Sequence, residues 1–333
     1  MKKLSIEAMP TQKRSVVFLV LPHVQLLDLA GPVQVFDTAA RLFAAPYTLI
    51  FCAASEEIRS AQQLSLAHLQ RLPEIDGSSL ILVPGTGISP AKSRGLLDEE
   101  TRVWLQESYR AGAHIASICS GTAVLGEAGL LHRRRCTTHW EFTSELQSCY
   151  PTSQVLDSVL YVHDHGIITS AGVASGIDMA LWLLEQDCGP RIAAEVGRQL
   201  VVYFRRSGLH QQVSVYLQYR SHLDHCIHTV QDWLAENVSE PASLADLARV
   251  GQTSERSLAR AFKAATGITP HQYQLLLRLE LAANLVHDTA LSLEAIAVKS
   301  GFGDTRQLRR VWHKHYGTPP SSGRRSIDPA SAG

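Results

Sequence analysis

Along the first half of the chain, short runs of apolar and β-branched residues alternate with longer amphipathic stretches. SVVFLVL gives way to LLDLAGPVQVFDTAARLF, then to YTLIFCAA, SSLILVPG, a helical periodicity over Glu99 to Arg110, and AHIASIC. Strands that stay apolar at nearly every position belong to sheets covered on both faces, and intervening helices of this length return the chain to the same end of the sheet. The pattern predicts an α/β domain over residues 14–205, a parallel sheet with helices on both faces in the flavodoxin-like manner. A further helix is expected in GPRIAAEVGRQLVVYF. Residues 206–222 are polar and mixed in charge, which suits a linker. Over 223–325 the strand pattern is gone, and only helical periodicities remain, separated by Gly, Pro and Ser/Thr caps.

That helical part repeats itself. Leu247-Ala248 recurs as Ile296-Ala297, an offset of 49, and Leu258, Arg260, Phe262, Gly267 and Pro270 recur as Leu308, Arg310, Trp312, Gly317 and Pro320, an offset of 50. Each copy reads as a short helix, a tight turn and a second helix that opens on Ser254 or Asp304 as cap and closes at a glycine. This is the grammar of two helix-turn-helix units, about 243–265 and 292–316. At 100° per residue, Leu258, Ala261, Phe262 and Ala265 share one face and Arg256, Ala259, Arg260 and Lys263 the other. In the second copy Leu308, Val311, Trp312 and His315 fall inside and Arg306, Arg309, Arg310 and His313 outside. Between the copies HQYQLLLRLELAANLVHD predicts an unbroken helix of roughly 27 Å. That length approaches one turn of B-DNA, so one chain can set both second helices into successive major grooves.

Composition narrows the field only slightly. The chain has 333 residues with 31 basic and 31 acidic side chains, 45% hydrophobic and 19% charged, which excludes a disordered chain, a coiled-coil rod and a disulfide-dense miniprotein. Residues 222–333 carry 12 Lys or Arg against 11 Asp or Glu, but basicity is local: residues 304–325 hold six basic side chains against Asp304 alone. The seven-residue apolar run after the basic start meets Pro22, His23 and Asp28, unlike a secretory signal, and no run approaches the ~20 apolar residues of a membrane span. Six scattered cysteines without a CxxC pair read as reduced thiols, so the expected compartment is the cytoplasm, with no membrane partner.

The run LADLARVGQTSERSLARAFKAATGITPHQYQLLLRLELAANLV, followed by LEAIAVKSGFGDTRQLRRVWHKHYGTPP, resembles the AraC/XylS family of transcriptional regulators over roughly 100 residues. The resemblance implies sequence-specific binding of promoter DNA, with contacts at Arg256 and Arg260 in the first unit and at Thr305, Arg306, Arg309 and Arg310 in the second. Arginine can make two hydrogen bonds to guanine O6 and N7, as direct major-groove readout requires. Two departures stand out: Ala259 where family members often carry a longer side chain, and Gly323 where an aromatic often precedes the closing Arg, here Arg324.

Chemistry is concentrated in the first domain. In AHIASICSGTAVLGEAGLL an apolar strand ends at Cys119 and a helix begins at once through Ser120, Gly121 and Thr122. A cysteine on such an elbow meets helix N-terminal amides that favour thiolate and can cradle an oxyanion. Its candidate partners are Asp28, at a helix start, and His139 in TTHW. The residues alone leave open a nucleophile, a redox sensor, and a small buried residue at a tight turn, with Asp28 a helix cap and His139 a loop residue.

QLLDLAGPVQVF, LILVPGTG, ICSGTAVLGEAGLL, TTHW and ITSAGVASGIDMALWLLEQ together resemble the ThiJ/PfpI class I amidotransferase-like superfamily over roughly residues 14 to 190. Chains joining such a domain to an AraC-type module resemble the GlxA group of regulators. The resemblance implies a small-molecule effector site or a vestigial catalytic site at Asp28, Cys119, Ser120 and His139. Many hydrolytic members follow the elbow Cys with His, where this chain has Ser120. The implied partners are promoter DNA, an effector and a second copy of the chain, with RNA polymerase as a further one. No cofactor is expected. A rival reading is a cysteine-dependent hydratase or amidohydrolase with a DNA-binding tail. HLDHCIH places His222, His225 and His228 with Cys226 at steps that drift around a helix, so no metal site is expected. His163 and His165 about Asp164 read as hairpin-turn residues before Gly166. VPGTG lacks the Lys of a phosphate loop.

Overall fold

In the computed structural model, which describes residues 13–157, 159–202, 208, 212, 214–288, 291–316 and 319–320, the apolar runs are strands buried on both faces. The chain divides into two compact units, residues 1–212 and 213–333.

The first unit runs β1 (Arg14–Leu19), α1 (Leu26–Phe43), β2 (Tyr47–Cys52), a small hairpin of β3 (Glu57–Arg59) and β4 (Ser65–Ala67), then β5 (Leu80–Val83), α2 (Glu99–Arg110), β6 (His114–Ile118) and α3 (Gly121–Glu127). It continues through β7 (Arg135–Cys136), α4 (Thr143–Cys149), β8 (Gln154–Val155), β9 (Tyr161–Asp164), β10 (Ile167–Ser170) and α5 (Ala174–Gln199). Six strands form one sheet in the order β2-β1-β5-β6-β10-β9. All neighbours are parallel except β9, which lies antiparallel to β10 at the edge. Alternate residues of each central strand feed opposite layers, because successive side chains point to opposite faces. Val16 and Phe18 pack with α1 and α5, whereas Val17, Leu19, Ile81 and Ile115 pack with α2, α3 and α4.

Two expectations need correction here. The stretch from Gly189 is not a separate helix reaching Phe204: α5 continues across a kink at Gly189 (φ 82°), followed by Pro190, and ends at Gln199. A residue with that φ cannot hold helical geometry, and proline has no N-H to bond backwards, so the axis bends there. His163 lies in β9, paired with Ile168, and only His165 and Gly166 form the turn, both at positive φ.

The second unit has α6 (Val215–Gln218), α7 (His225–Glu236), α8 (Leu244–Val250), α9 (Glu255–Thr266), α10 (Pro270–Asp288), α11 (Leu293–Lys299) and α12 (Thr305–Tyr316). The repeat appears as α8-α9 and α11-α12, at the offsets of 49 and 50. Ser243 caps α8 with a reciprocal box to Asp246, Ser254 caps α9, Ser292 caps α11, and Asp304 Oδ1 accepts the Gln307 N-H at the start of α12. Leu258 and Phe262 fill one core, Leu308 and Trp312 another, and the 19-residue α10 contributes to both. Gly267 ends α9 in the left-handed region, while Gly317, Gly323 and Arg324 lie outside the described residues. His315 is exposed rather than inside, because Tyr316 packs on Trp312 at 4.8 Å and takes that place.

Candidate functional site

Cys119 follows β6 at φ 56°, the strained elbow that the strand-to-helix switch requires. Its N-H donates to Ser170 O at 2.9 Å, and its carbonyl accepts from Thr138 Oγ1 at 2.8 Å. Gly172 passes directly over it: a Cβ there would lie 2.3 Å from Cys119 Cβ, and φ is +100°, so only glycine fits. Val173, itself at φ 49°, then donates its N-H to Asp28 Oδ1 at 2.7 Å. Asp28 sits in the first turn of α1, 1% exposed, and its Oδ2 has no hydrogen-bond partner among the described residues.

This arrangement reverses the expected electrostatics of the elbow. Burial pushes the Cys119 thiol up to about 12, helped by the Asp28 carboxyl beside it. Burial also raises the Asp28 carboxyl, with the Val173 N-H opposing. The first amides of α3 turn back on the chain, Thr122 N-H to Cys119 O and Ala123 N-H to Ser120 O, so desolvation outweighs the dipole. At neutral pH the pair offers a neutral thiol beside a carboxyl of reduced acidity, suited to hydrogen-bonding a ligand rather than to attack on one.

Cys119, Asp28 and His139 come together on one cavity of ≈ 460 Å³, with Gln25, Leu26, Leu27, Gln62, Gly87, Glu141, Phe142 and Val173. It opens at the carboxyl ends of the parallel strands, where open α/β sheets bind ligands. His139 Nδ1 lies 3.6 Å from Glu141 Oε2, beyond hydrogen-bond reach, and its ring stands 6.0 Å from that of Phe142. Ser120 is not on the cavity. Its Oγ accepts the N-H groups of Thr86 and Gly87, each at 3.0 Å, and so fixes the loop after β5. Sequence reasoning missed Glu141, Phe142, Val173, Gln25 and Gln62. The last two meet through a 2.6 Å bond across 37 residues of sequence, which no local spacing signals.

In the second unit Arg256 and Arg260 on α9 are exposed, as are Arg306, Arg309 and Arg310 on α12, while Thr305 at the start of α12 is half-buried. Leu258, Phe262, Leu308 and Trp312 face inward as their periodicity requires. His222 and His228 bring their rings to 4.5 Å, whereas the Cys226 thiol donates to Gly251 O at 3.2 Å. No helix among the described residues is long and apolar enough to cross a membrane.

The sequence matches the DJ-1/PfpI family over residues 14–186 and a helix-turn-helix domain over residues 247–326. The HTH-type transcriptional regulator CdhR of Pseudomonas aeruginosa is 28% identical over 309 residues, covering 92% of this chain and 90% of its own. Isonitrile hydratase of Pseudomonas putida is 33% identical over 184 residues, 55% of this chain and 76% of the enzyme. Among solved structures, a ThiJ/PfpI family protein from Pseudomonas syringae superposes with a TM-score of 0.51 at 21% identity, covering 70% of this chain and 94% of that one. That last likeness is one of fold.

Proposed function

Because the chain belongs to the DJ-1/PfpI family and joins that domain to an AraC-type helix-turn-helix domain, we infer that it is a transcription factor that binds promoter DNA and answers to a small-molecule effector. One observation carries the DNA-binding part. Arg256 and Arg260, exposed on α9, recur 50 positions later as Arg306 and Arg310, exposed on α12. A solvated helix face has no reason to keep arginines in register between copies, whereas two base-reading helices do.

The effector is assigned to the cavity of Asp28, Cys119 and His139. Its lining carries the Glu141 carboxyl and neither lysine nor arginine, which favours a neutral or cationic molecule over an anion. The working compartment is the cytoplasm, and a second copy of the chain would occupy a repeated site, with RNA polymerase as the downstream partner. A hydratase reading draws on the likeness to isonitrile hydratase. The high thiol pKa weighs against it at neutral pH.

The test is salt-dependent binding of the full chain to DNA upstream of its own and neighbouring genes. Arg306→Ala and Arg310→Ala should each weaken specific binding by about 1 to 3 kcal/mol. Binding that is non-specific everywhere and indifferent to both arginines would overturn the assignment.

A further inference from the structure

The cavity is hydrogen-bonded to the stretch of chain that leaves the first unit. Gln212 Nε2 donates to Thr138 O at 2.9 Å and to Val159 O at 3.0 Å, with Thr137 Oγ1 at 3.4 Å. Gly208 O accepts the N-H groups of Leu160 at 2.7 Å and Tyr161 at 3.3 Å. Both attachments lie a few links from the effector site. Thr138 holds the Cys119 carbonyl through its Oγ1 and immediately precedes His139. Leu160 O accepts the Ala171 N-H at 2.7 Å, and two residues further on the Val173 N-H holds Asp28. Two hydrogen-bonded routes therefore connect the Cys119-Asp28 pair to residues 208 and 212.

Val215, three positions after Gln212, is buried in a core of the second unit, and its N-H donates to Glu280 Oε2 at 2.9 Å. With Gln212 held, the chain between anchored points is three peptide steps, at most ~11 Å. With Gln212 released the last anchor is Gly208, and the tether grows to seven steps, roughly 25 Å.

We propose that Gln212 is a latch through which occupancy of the cavity sets the length of this tether, and with it the freedom of the DNA-binding unit. The proposal rests on the reading of the cavity as the effector site. Gln212 is a positioning residue, acting through Thr138 and Val159 on the wall that carries His139. Its Oε1 is buried with no partner among the described residues, an uncompensated desolvation that keeps the latched state only shallowly favoured. An effector that shifts residues 137–142 is then enough to tip it, as a switch between two discrete states demands.

Hydrogen exchange on the full chain tests this without effector or DNA. Gln212→Met keeps the side-chain length and removes the donor. It should speed exchange of the Leu160 and Tyr161 amides about tenfold or more while leaving α8, α9 and α12 unchanged. Asp28→Ala, which frees Val173 at the far end of one route, should speed the same two amides. In the double variant it should add nothing, because the latch is already open. Thr138→Val removes only the bond to Cys119 and serves as a milder second probe with the same expected direction. Unchanged amides in Gln212→Met, or independent addition of the two effects, would overturn the latch. DNA affinity is read in parallel. Lengthening the tether from three to seven steps should alter coupling between the units by about threefold to fourfold. Faster exchange with unaltered affinity would overturn the regulatory role, whereas a wild type that binds no promoter fragment specifically would sink the functional reading and leave the exchange result intact.

Discussion

A thiol whose pKa lies near 12 is about one part in ten thousand ionised at pH 8. Cys119 should therefore label with iodoacetamide about a thousandfold more slowly than an unperturbed cysteine, and the rate should climb roughly tenfold per pH unit up to pH 11. Asp28→Asn removes the negative neighbour that helps to raise the thiol, so labelling at pH 8 should accelerate. Site-resolved mass spectrometry over a pH series reads both effects, and a wild-type Cys119 that labels at pH 7 as readily as a free thiol would show that burial does not govern it. The elbow cysteine, its acidic partner and His139 were legible in the sequence, because the strand-to-helix switch and the family-like motifs mark them. The direction of the thiol's pKa was not. It depends on Gly172 and Val173 folding over the elbow from β10, roughly fifty residues away, and on the distant α1 that carries Asp28. Ser120 was misplaced for a similar reason: the direction of its Oγ is decided by the loop at Thr86 and Gly87, a tertiary neighbour.

At the scale of the elements, hydrophobic periodicity and capping residues placed α8 to α12, since each helix buries a stripe that its own sequence displays. Ser254 and Asp304 act as the caps their positions suggested. What escaped the pattern were features set by neighbours: the β3-β4 hairpin, too short to show a period, and β9, whose mixed polarity at a sheet edge imitates a turn. Glu280 is another such case. It lies within the long α10, yet its carboxyl accepts the Val215 N-H and is raised by burial. A raised carboxyl binds its proton more tightly folded than unfolded. Wild-type stability therefore falls as pH climbs from the ordinary glutamate range through the raised value. Glu280→Gln keeps an oxygen for Val215 and does not titrate. It should match the wild type near pH 4 and exceed it by about 1 kcal/mol at pH 8, as scanning calorimetry can show. A gap that narrowed with rising pH would reverse the assigned sign.

For the whole molecule, the decisive feature is that α10 joins the two helix-turn-helix units and belongs to both of their cores. Its 19 residues span about 28 Å, close to the ~34 Å of one B-DNA turn, and an unbroken helix neither stretches nor contracts. The two arginine faces should therefore act as a ruler that accepts one spacing of sub-sites. Because α9 and α12 differ in sequence outside the repeated positions, the sub-sites should also differ, giving a directional rather than palindromic target for each chain. Inserting five base pairs between the sub-sites rotates one of them by about half a turn to the far side of the duplex. Inserting ten restores the face but adds ~34 Å that α10 cannot cover. Both insertions should reduce affinity to that of one helix-turn-helix unit, a loss on the order of a hundredfold, because the second contact no longer benefits from a high effective concentration. Mobility shifts on the three duplexes at one salt concentration make the comparison. A recovery at ten base pairs would mean that the units are joined flexibly, in conflict with the continuous α10. Equal affinity for all three would mean that a single unit carries the binding, and the matched arginines of α9 and α12 would lose their significance.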